Sequence, residues 1–250
     1  MGRPLSRLYE LLLRAYGPQG WWPLPSRAGT PGYDDGGYHR GLYEEPRTAH
    51  GRFEVVLGAV LTQNTAWLNA ERALANLRSA GVRAPGGLQS VTLRRLEALL
   101  RPSGYYHQKA LKLKRLVGIL AAPGALTQDR GPSRERLLEQ WGIGPETADS
   151  ILLYAYRKPL FVVDAYTRRL LGRIGILKGG ESYGAIQSLF HAELPRRIEL
   201  YNEYHALIVE HAKQHCRARP LCQGCPVRPC AYRADARDRP VSAGTALFSP

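Results

Sequence analysis

The sequence lacks any hydrophobic run long enough to cross a membrane. No stretch approaches the roughly 18 uninterrupted apolar residues that a membrane-spanning helix needs. A secretory signal is also missing, because charges at Arg3, Arg7 and Arg14 interrupt the apolar pattern at the N-terminus. We therefore expect a cytoplasmic, intracellular protein with no membrane partner.

Cysteine is scarce, and its few residues are not scattered. The chain has four cysteines, which all fall in one short stretch near the C-terminus: Cys216, Cys222, Cys225 and Cys230. Such clustering argues against a protein held together by disulfides along its length. It is typical of a metal site in a reducing compartment instead.

Acidic residues are few relative to basic ones. The 250 residues include 35 Lys and Arg against 21 Asp and Glu, which gives a formal net charge of +14. A hydrophobic content of 44% is enough for a buried core and argues against a disordered chain. A folded basic protein most often binds a polyanion, above all nucleic acid, although a basic soluble enzyme would carry the same charge.

Strand patterns are nearly absent from the sequence. Apolar residues recur at helical spacing almost throughout, as at Leu8 and Leu12, and short Gly/Pro segments separate the predicted helices. The one strand-like run, 160–163, is too short to imply a sheet. These patterns predict an all-α protein with a flexible loop over 26–52 and a frayed tail over 233–250.

A tight glycine turn separates two of the predicted helices. In Gly142-Ile143-Gly144-Pro145, the proline suits the first helical position, so that Gly144 is the expected N-cap. The exposed N–H groups at such a helix start can bind an anion without any side chain. The turn therefore predicts a helix–hairpin–helix that grips a DNA phosphate, although an ordinary turn between helices can have the same glycines.

Asp164 follows this hairpin after an apolar run and stands at the head of another predicted helix. Together, G-I-G-x-x-T-A at 142–148 and V-D at 163–164 resemble the signature of the endonuclease III superfamily of DNA glycosylases. The resemblance implies that superfamily's two-domain fold and makes Asp164 the catalytic carboxylate. A carboxylate beside the sugar stabilises the positive charge that develops as the N-glycosidic bond breaks. The alternative is a purely structural role as a helix N-cap.

One residue of the superfamily is missing. Members that also cut the DNA backbone use a lysine that attacks C1′ and forms a Schiff base, and the matching position in this sequence is Glu146. A carboxylate cannot form an imine. We therefore expect a monofunctional DNA N-glycosylase without efficient AP lyase activity, with Lys109 and Lys213 as alternative amines for weak β-elimination.

A narrower resemblance concerns the base pocket. The W-W-P motif at 21–23 and the run F-E-V-V-L-G-A-V-L-T-Q-N-T at 53–65 resemble the 3-methyladenine DNA glycosylase III branch. This implies an alkylated purine stacked among Trp21, Trp22 and Phe53, where cation–π attraction contributes about 0.5–2 kcal/mol. The alternative is that these aromatic residues are core or loop anchors.

The other site residues follow from the same resemblance. Gln63 matches the glutamine that fills the gap left by the flipped nucleotide, and it completes the predicted base pocket together with Glu146. Tyr105 lies where the family has a wedge that enters the duplex. The predicted DNA-binding residues are Gly142, Gly144, Thr147, Tyr105, Lys109 and Arg168. We expect the partner to be duplex DNA containing a damaged base, bound by a monomer.

The cysteine spacing is C-x5-C-x2-C-x4-C, which resembles the iron–sulfur loop of the superfamily with one residue fewer in the first and last gaps. The resemblance implies a structural [4Fe–4S] cluster bound by Cys216, Cys222, Cys225 and Cys230. A zinc site is the alternative. His211 and His215 could then add nitrogen ligands.

The resemblance also implies a domain organisation and a function. It places a six-helix barrel with the hairpin over 53–161 and an iron–sulfur domain over 1–25 plus 162–232. The implied function is base excision repair by release of an alkylated purine such as 3-methyladenine. Two alternatives remain open: a glycosylase for mismatched thymine or uracil or for an oxidised pyrimidine, and a non-catalytic module that binds damaged DNA.

Overall fold

The computed structural model describes residues 3–128 and 130–232, so the predicted tail over 233–250 lies outside the described residues. Within these ranges the chain forms eleven α-helices, two 3-10 turns and no β-strand. The all-α prediction is confirmed. The extended run over 160–163 connects two helices and belongs to no sheet.

The helices have mostly short connections. In chain order they are α1 (Pro4–Tyr16), α2 (Ala49–Leu61), α3 (Trp67–Ser79), α4 (Pro85–Ser90), α5 (Leu93–Leu100), α6 (Tyr106–Leu120), α7 (Arg134–Leu138), α8 (Pro145–Tyr156), α9 (Ala165–Arg173), α10 (Tyr183–Glu193) and α11 (Ile198–Gln214). The 3-10 turns are Pro25–Arg27 and Arg101–Ser103. None of the helices described is long and apolar enough to span a bilayer.

Polar side chains define where several helices begin. Thr48, Thr92, Ser133 and Ser182 each accept a hydrogen bond from the backbone N–H three residues further on. Each such cap stabilises its helix by about 1 kcal/mol. Helix α2 therefore begins at Ala49, four residues earlier than the predicted barrel boundary at Phe53.

Helices α2 and α8 pack against each other at the centre of the molecule. Every residue of α2 from Gly51 to Leu61 is buried, and so is every residue of α8 from Thr147 to Tyr156. A helix that is apolar on nearly all sides must be surrounded by other elements. Helices α3 and α6 complete the surroundings of α2.

The N-terminal helix α1 packs against α11, far away in the sequence. Its apolar stripe of Leu5, Leu8 and Leu12 is buried, and the Tyr204 hydroxyl of α11 donates to the carbonyl of Leu5 at 2.9 Å. One continuous cluster of buried residues extends from Leu5 to Val227. The division into a barrel and an iron–sulfur domain stays a prediction.

The segment between α1 and α2 follows the surface with defined contacts to the body of the protein. His39 is buried, and its Nε2 lies 2.8 Å from the carbonyl oxygen of Trp22. The Tyr43 hydroxyl donates to the buried carboxylate of Glu203 on α11 at 2.8 Å. The predicted loop ends at residue 48 rather than 52, because the last four residues already belong to α2.

Candidate active site

A cleft of about 360 Å³ opens between the starts of α3, α8 and α9 and one side of α11. Its aromatic lining residues are Trp21, Trp22, Tyr38, Trp67 and Tyr166. Its charged or titratable lining residues include Glu146, Asp164, His205 and Lys213. This volume and this mixture, in which apolar walls surround a few polar groups, are typical of small-molecule pockets.

Asp164 lies in this cleft as the N-cap of α9. Its Oδ1 accepts a hydrogen bond of 2.7 Å from the backbone N–H of Thr167, and only 8% of the residue is exposed. Burial by itself raises the pKa of Asp164, but the facing His205 and the Thr167 N–H outweigh burial and hold the pKa below its ordinary value. Asp164 is therefore both a helix cap and an ionised carboxylate in the cleft.

Two side chains that the sequence did not suggest stand behind Asp164. The Nε2 atom of His205 is 3.5 Å from Asp164 Oδ2, and its Nδ1 atom is 2.6 Å from the Tyr154 hydroxyl. Both residues are buried. They come from α11 and α8, so their convergence on Asp164 is visible only in the folded chain.

Glu146 is in the first turn of α8 and lines the same cleft. The loss of surrounding water raises the pKa of Glu146, and the nearby negative charge of Asp164 raises it further. The cleft therefore holds a second carboxyl group, close enough to Asp164 for its charge to be felt. The amine among the cleft-lining side chains belongs to Lys213, whose Nζ lies 5.7 Å above the ring of Trp21.

The tryptophans form one wall of the cleft. Trp22 packs edge-on against Trp67 with ring centroids 5.7 Å apart, and Trp21 packs edge-on against Trp22 at 5.9 Å. Trp22 lies directly against α2 at Gly58, where an added Cβ would be only 2.9 Å from the indole nitrogen. The glycine therefore permits this close approach. Trp67 is an aromatic lining residue that the sequence interpretation missed.

Phe53 is not part of this wall. The residue is 1% exposed, packs in the core and is absent from the cleft lining. The structure therefore differs from the prediction of a sandwich made by Trp21, Trp22 and Phe53. The physical reason is that α2 is covered on nearly all sides, so that an aromatic residue in its interior packs in the core rather than facing the cleft.

The glycine turn at 142–145 has the predicted form. Gly144 is the N-cap of α8 with Pro145 as its first residue, and Gly142 has a φ of +78°, a conformation that favours glycine. Both glycines are exposed. The turn thus presents the N–H groups of a helix start to solvent, as phosphate binding requires.

Gln63 connects this turn to the end of α2. Its Nε2 donates to the carbonyl of Gly142 at 3.1 Å and to the Thr147 hydroxyl at 2.8 Å, while its Oε1 accepts from Lys112 Nζ at 2.6 Å. Gln63 and Thr147 are thus brought together beside the turn. Neither residue lines the cleft, and Thr147 is buried beneath the turn.

Lys109 is not available to DNA, contrary to prediction. The residue is 1% exposed, and its Nζ donates to the carbonyl oxygens of Leu61 at 2.9 Å and Ser103 at 2.6 Å. Burial lowers the pKa of Lys109 to about 8, and Lys112 contributes to the shift. The lysine closes the end of α2 because the last carbonyls of a helix need donors. It is therefore no candidate for β-elimination either.

Tyr105 and Arg168, the two other side chains predicted to contact DNA, are accessible. Tyr105 is 65% exposed and has a φ of +45° as the N-cap residue of α6, so its ring projects from the surface. Arg168 is half-buried and donates to the carbonyl of Glu181 at 2.8 Å. The wedge role of Tyr105 stays a prediction.

Comparison with known proteins identifies the family. Residues 57–196 match the HhH-GPD superfamily of base excision DNA repair proteins. The chain belongs to this superfamily. A candidate DNA repair glycosylase of Methanocaldococcus jannaschii is 38% identical over 231 residues, which cover 90% of this chain and 94% of that protein. Endonuclease III of Thermotoga maritima is 31% identical over 69% of this chain and 79% of its own length.

Solved structures agree with this membership. The H. pylori 3-methyladenine DNA glycosylase bound to 1,N6-ethenoadenine is 32% identical, with a TM-score of 0.59 over 69% of this chain and 92% of that chain. A thermostable thymine-DNA glycosylase has a TM-score of 0.67 over 92% of this chain and 97% of that chain. At 16% identity, the second likeness shows the fold alone.

The cysteine loop, residues 216–230, packs against α9 and the end of α11 in this HhH-GPD protein. Its four cysteines line one small cavity, which is closed by apolar side chains such as Leu170, Ile174 and Val227. Arg169 and Arg173 hold the loop by donating to the carbonyls of Cys216 at 2.7 Å and Arg217 at 2.6 Å. Four thiols around one apolar cavity are a suitable donor set for an iron–sulfur cluster.

The ligand atoms in this loop are nevertheless not gathered around one point. Across residues 3–128 and 130–232, no three His, Cys, Asp or Glu side chains form a group that could hold a single metal ion. The Nδ1 of His211 lies 2.8 Å from the Tyr16 hydroxyl, while its Nε2 lies 4.0 Å from Cys225 Sγ. Burial, and then the neighbouring His215, lower the pKa of His211 to about 4.

Proposed function

We propose that this HhH-GPD protein is a monofunctional DNA glycosylase of base excision repair. It hydrolyses the N-glycosidic bond of a damaged base flipped out of duplex DNA, with an alkylated purine such as 3-methyladenine as the favoured substrate. The observation that carries this proposal is the ionised Asp164 in a cleft walled by tryptophans. The cleft can hold a base and places a negative charge beside it.

Asp164 supplies the chemistry in this proposal. Breaking the glycosidic bond leaves positive charge on the deoxyribose, and a carboxylate with few water contacts stabilises that charge strongly. Its Oδ1 is occupied by the Thr167 N–H, so Oδ2 is the atom placed to face the sugar or to accept a proton from the attacking water. The released base leaves an abasic site.

The cleft lining favours an alkylated purine. Alkylation at N3 or N7 leaves the purine with a delocalised positive charge, which makes the base a good leaving group and attracts it to aromatic faces. Trp21, Trp22 and Trp67 provide such rings. The lining also contains two carboxyl groups, Asp164 and Glu146, against one amine, that of Lys213. The likeness to a 3-methyladenine DNA glycosylase supports the same substrate class.

The cleft does not favour an AP lyase. Glu146 occupies the position where a Schiff-base lysine would attack C1′, and Lys109 is buried and fully engaged with two carbonyl oxygens. Lys213 is the remaining amine of the cleft lining, and its Nζ lies over the ring of Trp21. Base release without strand cleavage is therefore the expected outcome.

Duplex DNA is the proposed partner, bound by a monomer. The turn at 142–145 binds a phosphate through the N–H groups of α8, and Gln63 and Tyr105 meet the duplex where the base has left. Flipping costs a few kcal/mol of unstacking, which these residues offset.

A [4Fe–4S] cluster on Cys216, Cys222, Cys225 and Cys230 is the proposed cofactor. The cluster has a structural role, since its cavity is separate from the cleft and its residues share no lining with it. The arginines 169 and 173 would then stabilise the negative charge of the thiolates as well as the loop backbone. A colourless protein loaded with zinc would contradict this assignment.

A base-release assay on a panel of duplexes tests the proposed function. Each duplex carries one lesion: 3-methyladenine, 7-methylguanine, uracil, a T·G mismatch or an oxidised pyrimidine. We expect release from the alkylated purines, and we expect Asp164→Asn to lower it by about 10³-fold or more while DNA binding persists. Asp35→Asn, a change on the surface loop, is the control.

The outcomes of this assay separate the alternatives. Release of uracil or of mismatched thymine instead would show that the protein is a DNA glycosylase with a different substrate class. Binding of lesions without release of any would identify a non-catalytic damage-binding module. Undiminished release by Asp164→Asn would remove the carboxylate from the mechanism.

The lyase part of the proposal has its own measurement. Borohydride reduces a Schiff base between protein and abasic DNA to a stable adduct. We expect no adduct from the natural protein and a trapped adduct from Glu146→Lys, with Glu146→Gln as the matched control. An adduct from the natural protein that disappears in Lys213→Ala would assign lyase activity to Lys213.

A further inference from the structure

A chain of buried polar groups extends from the cleft into the protein. It begins at Asp164, continues through the imidazole of His205 and ends at the Tyr154 hydroxyl. The three residues belong to three different elements, namely the N-terminus of α9, the middle of α11 and the last turns of α8. Each is less than a tenth exposed, so water does not replace these contacts.

The chemistry of the groups that face the imidazole, rather than the distances alone, determines the proton positions in this chain. The hydroxyl of Tyr154 is 2.6 Å from His205 Nδ1, which suits donation of the phenolic hydrogen to that nitrogen. A neutral imidazole then carries its own hydrogen on Nε2, the atom that faces Asp164 Oδ2 at 3.5 Å. The opposite tautomer would direct a lone pair at a carboxylate. The arrangement therefore favours a donor aimed at Asp164.

Two neighbours fix the orientation of the imidazole. The ring of Trp21 meets it edge-on, with centroids 5.6 Å apart and planes at 87°. Tyr154 contacts it on the other side, with centroids 5.9 Å apart. Because Trp21 also lines the cleft, the same residue touches both the space for the base and the ring behind the carboxylate.

We infer that His205 is a positioning residue, which keeps Asp164 ionised and its Oδ2 oriented through an Nε2 hydrogen, with Tyr154 holding the imidazole in the required tautomer. This inference rests on the proposed function, because it assigns a purpose to the ionised form of Asp164. A contact of 3.5 Å is longer than a direct hydrogen bond, and catalytic hydrogen bonds commonly shorten when substrate binds.

Other charged groups lie close enough to influence the pair. Glu146 and Lys213 line the same cleft, Arg168 follows Asp164 on α9, and Glu203 is two residues before His205 on α11. The charge of Asp164 raises the pKa of Glu146, whereas the positive charge of Arg168 lowers it. On its Nδ1 side, the imidazole contacts the Tyr154 hydroxyl and none of these charged groups.

The test is the pH dependence of single-turnover base release, measured with the best substrate of the panel and corrected for release without enzyme. Activity requires ionised Asp164, so the rate falls as the pH drops through the pKa of that carboxyl group. Removing the donor with His205→Leu raises this pKa, and we expect the acid limb to move upward by about one pH unit. His205→Gln keeps an N–H donor and should restore most of the natural profile.

Two further variants make the result interpretable. Tyr154→Phe removes only the hydroxyl, so it should move the limb in the same direction by less than His205→Leu. His50→Gln, whose imidazole contacts the carbonyl of Arg83 away from the cleft, should leave the profile unchanged. Thermal melting of each variant shows whether the fold is intact.

A purely structural role for His205 gives a different pattern. His205→Leu and Tyr154→Phe would then lower the rate by the same factor at every pH, and glutamine would not rescue it. That result overturns the inference while Asp164→Asn still abolishes release. Persistent release by Asp164→Asn would instead overturn the proposed function itself.

Discussion

The cleft and the cysteine loop both border α11, but they are organised in different ways. In the cleft, Asp164 is placed by the Thr167 N–H and by His205, so protein groups alone bring the polar atoms together. In the loop, four cysteines line one cavity, yet no three ligand groups in the described ranges converge on a single point. Hydrogen bonds from the protein position the carboxylate, whereas thiol ligands of a metal site are drawn together by the metal, which displaces their protons as it binds.

This contrast predicts that the two regions respond to different perturbations. The helices around the cleft are joined by a network of side-chain hydrogen bonds on Asp149. Arg134 donates to both oxygens of Asp149 at 2.6 and 3.1 Å, and Gln187 donates to the same carboxylate at 2.8 Å. Gln187 also donates to the carbonyl of Phe161, in the segment that leads to Asp164. These bonds connect α7, α8 and α10.

The largest effect is expected from Asp149→Ala. The side chain of Asp149 is fully buried, so its removal leaves Arg134 and Gln187 without their acceptor and lowers the free energy of unfolding by about 3 kcal/mol. Differential scanning calorimetry or urea unfolding measures the loss. Asp35→Ala on the surface loop is the control, with an expected change within about 0.5 kcal/mol. A loss no larger than this control would mean that the ion pair contributes little to the stability of the fold.

Cys225→Ser is expected to cause a smaller loss of stability, confined to the cysteine loop. With the proposed [4Fe–4S] cluster bound there, loss of one thiolate removes most of the iron and the broad visible absorption. Stability should fall less than in Asp149→Ala, because Arg169 and Arg173 still hold the start of the loop. Gln223→Ser, in the same loop, is the matched control.

Amide hydrogen exchange shows whether the two regions are independent. In Cys225→Ser we expect faster exchange in the loop and in the last turn of α11, with no change in α8. Faster exchange throughout α8 would show that the helices of the cleft depend on an intact cysteine loop.

The smallest effect on stability is expected at the hairpin, the turn at 142–145 that is proposed to bind a DNA phosphate. Gly142→Ala places a Cβ against the Lys112 side chain and requires a left-handed backbone, at a cost of about 1–2 kcal/mol. Gly144→Ser is the matched variant, since Gly144 has a φ of −89° and open space around it, and serine is a good N-cap. We expect Gly144→Ser to keep its stability but to weaken DNA binding, because the added side chain stands where the phosphate approaches. Unchanged binding by both variants would show that the hairpin does not hold a phosphate.

Local features of the site were predictable from the sequence. The glycine turn with Gly144 as N-cap and the cap position of Asp164 depend on residues only a few positions apart. The placement of Trp21 and Trp22 in the cleft was predicted from a motif. Phe53 was misplaced because a motif does not show which side of a helix is covered by its neighbours.

Lys109 illustrates the other kind of failure. In the sequence it is one of several basic residues near a wedge, and nothing in its spacing distinguishes it from an exposed lysine. In the fold, its amine meets carbonyls of Leu61 and Ser103, the first of which is 48 residues away. Net charge thus indicated the class of partner but not which cations are free to contact it.

Periodicity, capping and glycine turns are properties of neighbouring residues, so the helical class, the hairpin, the carboxylate at the start of α9 and the cluster of cysteines were all visible in the sequence. The packing of distant helices, in contrast, places His205 and Tyr154 behind Asp164, puts Trp67 instead of Phe53 in the wall and buries Lys109. These outcomes depend on which helix faces meet, and burial then sets the charge state and the availability of each group.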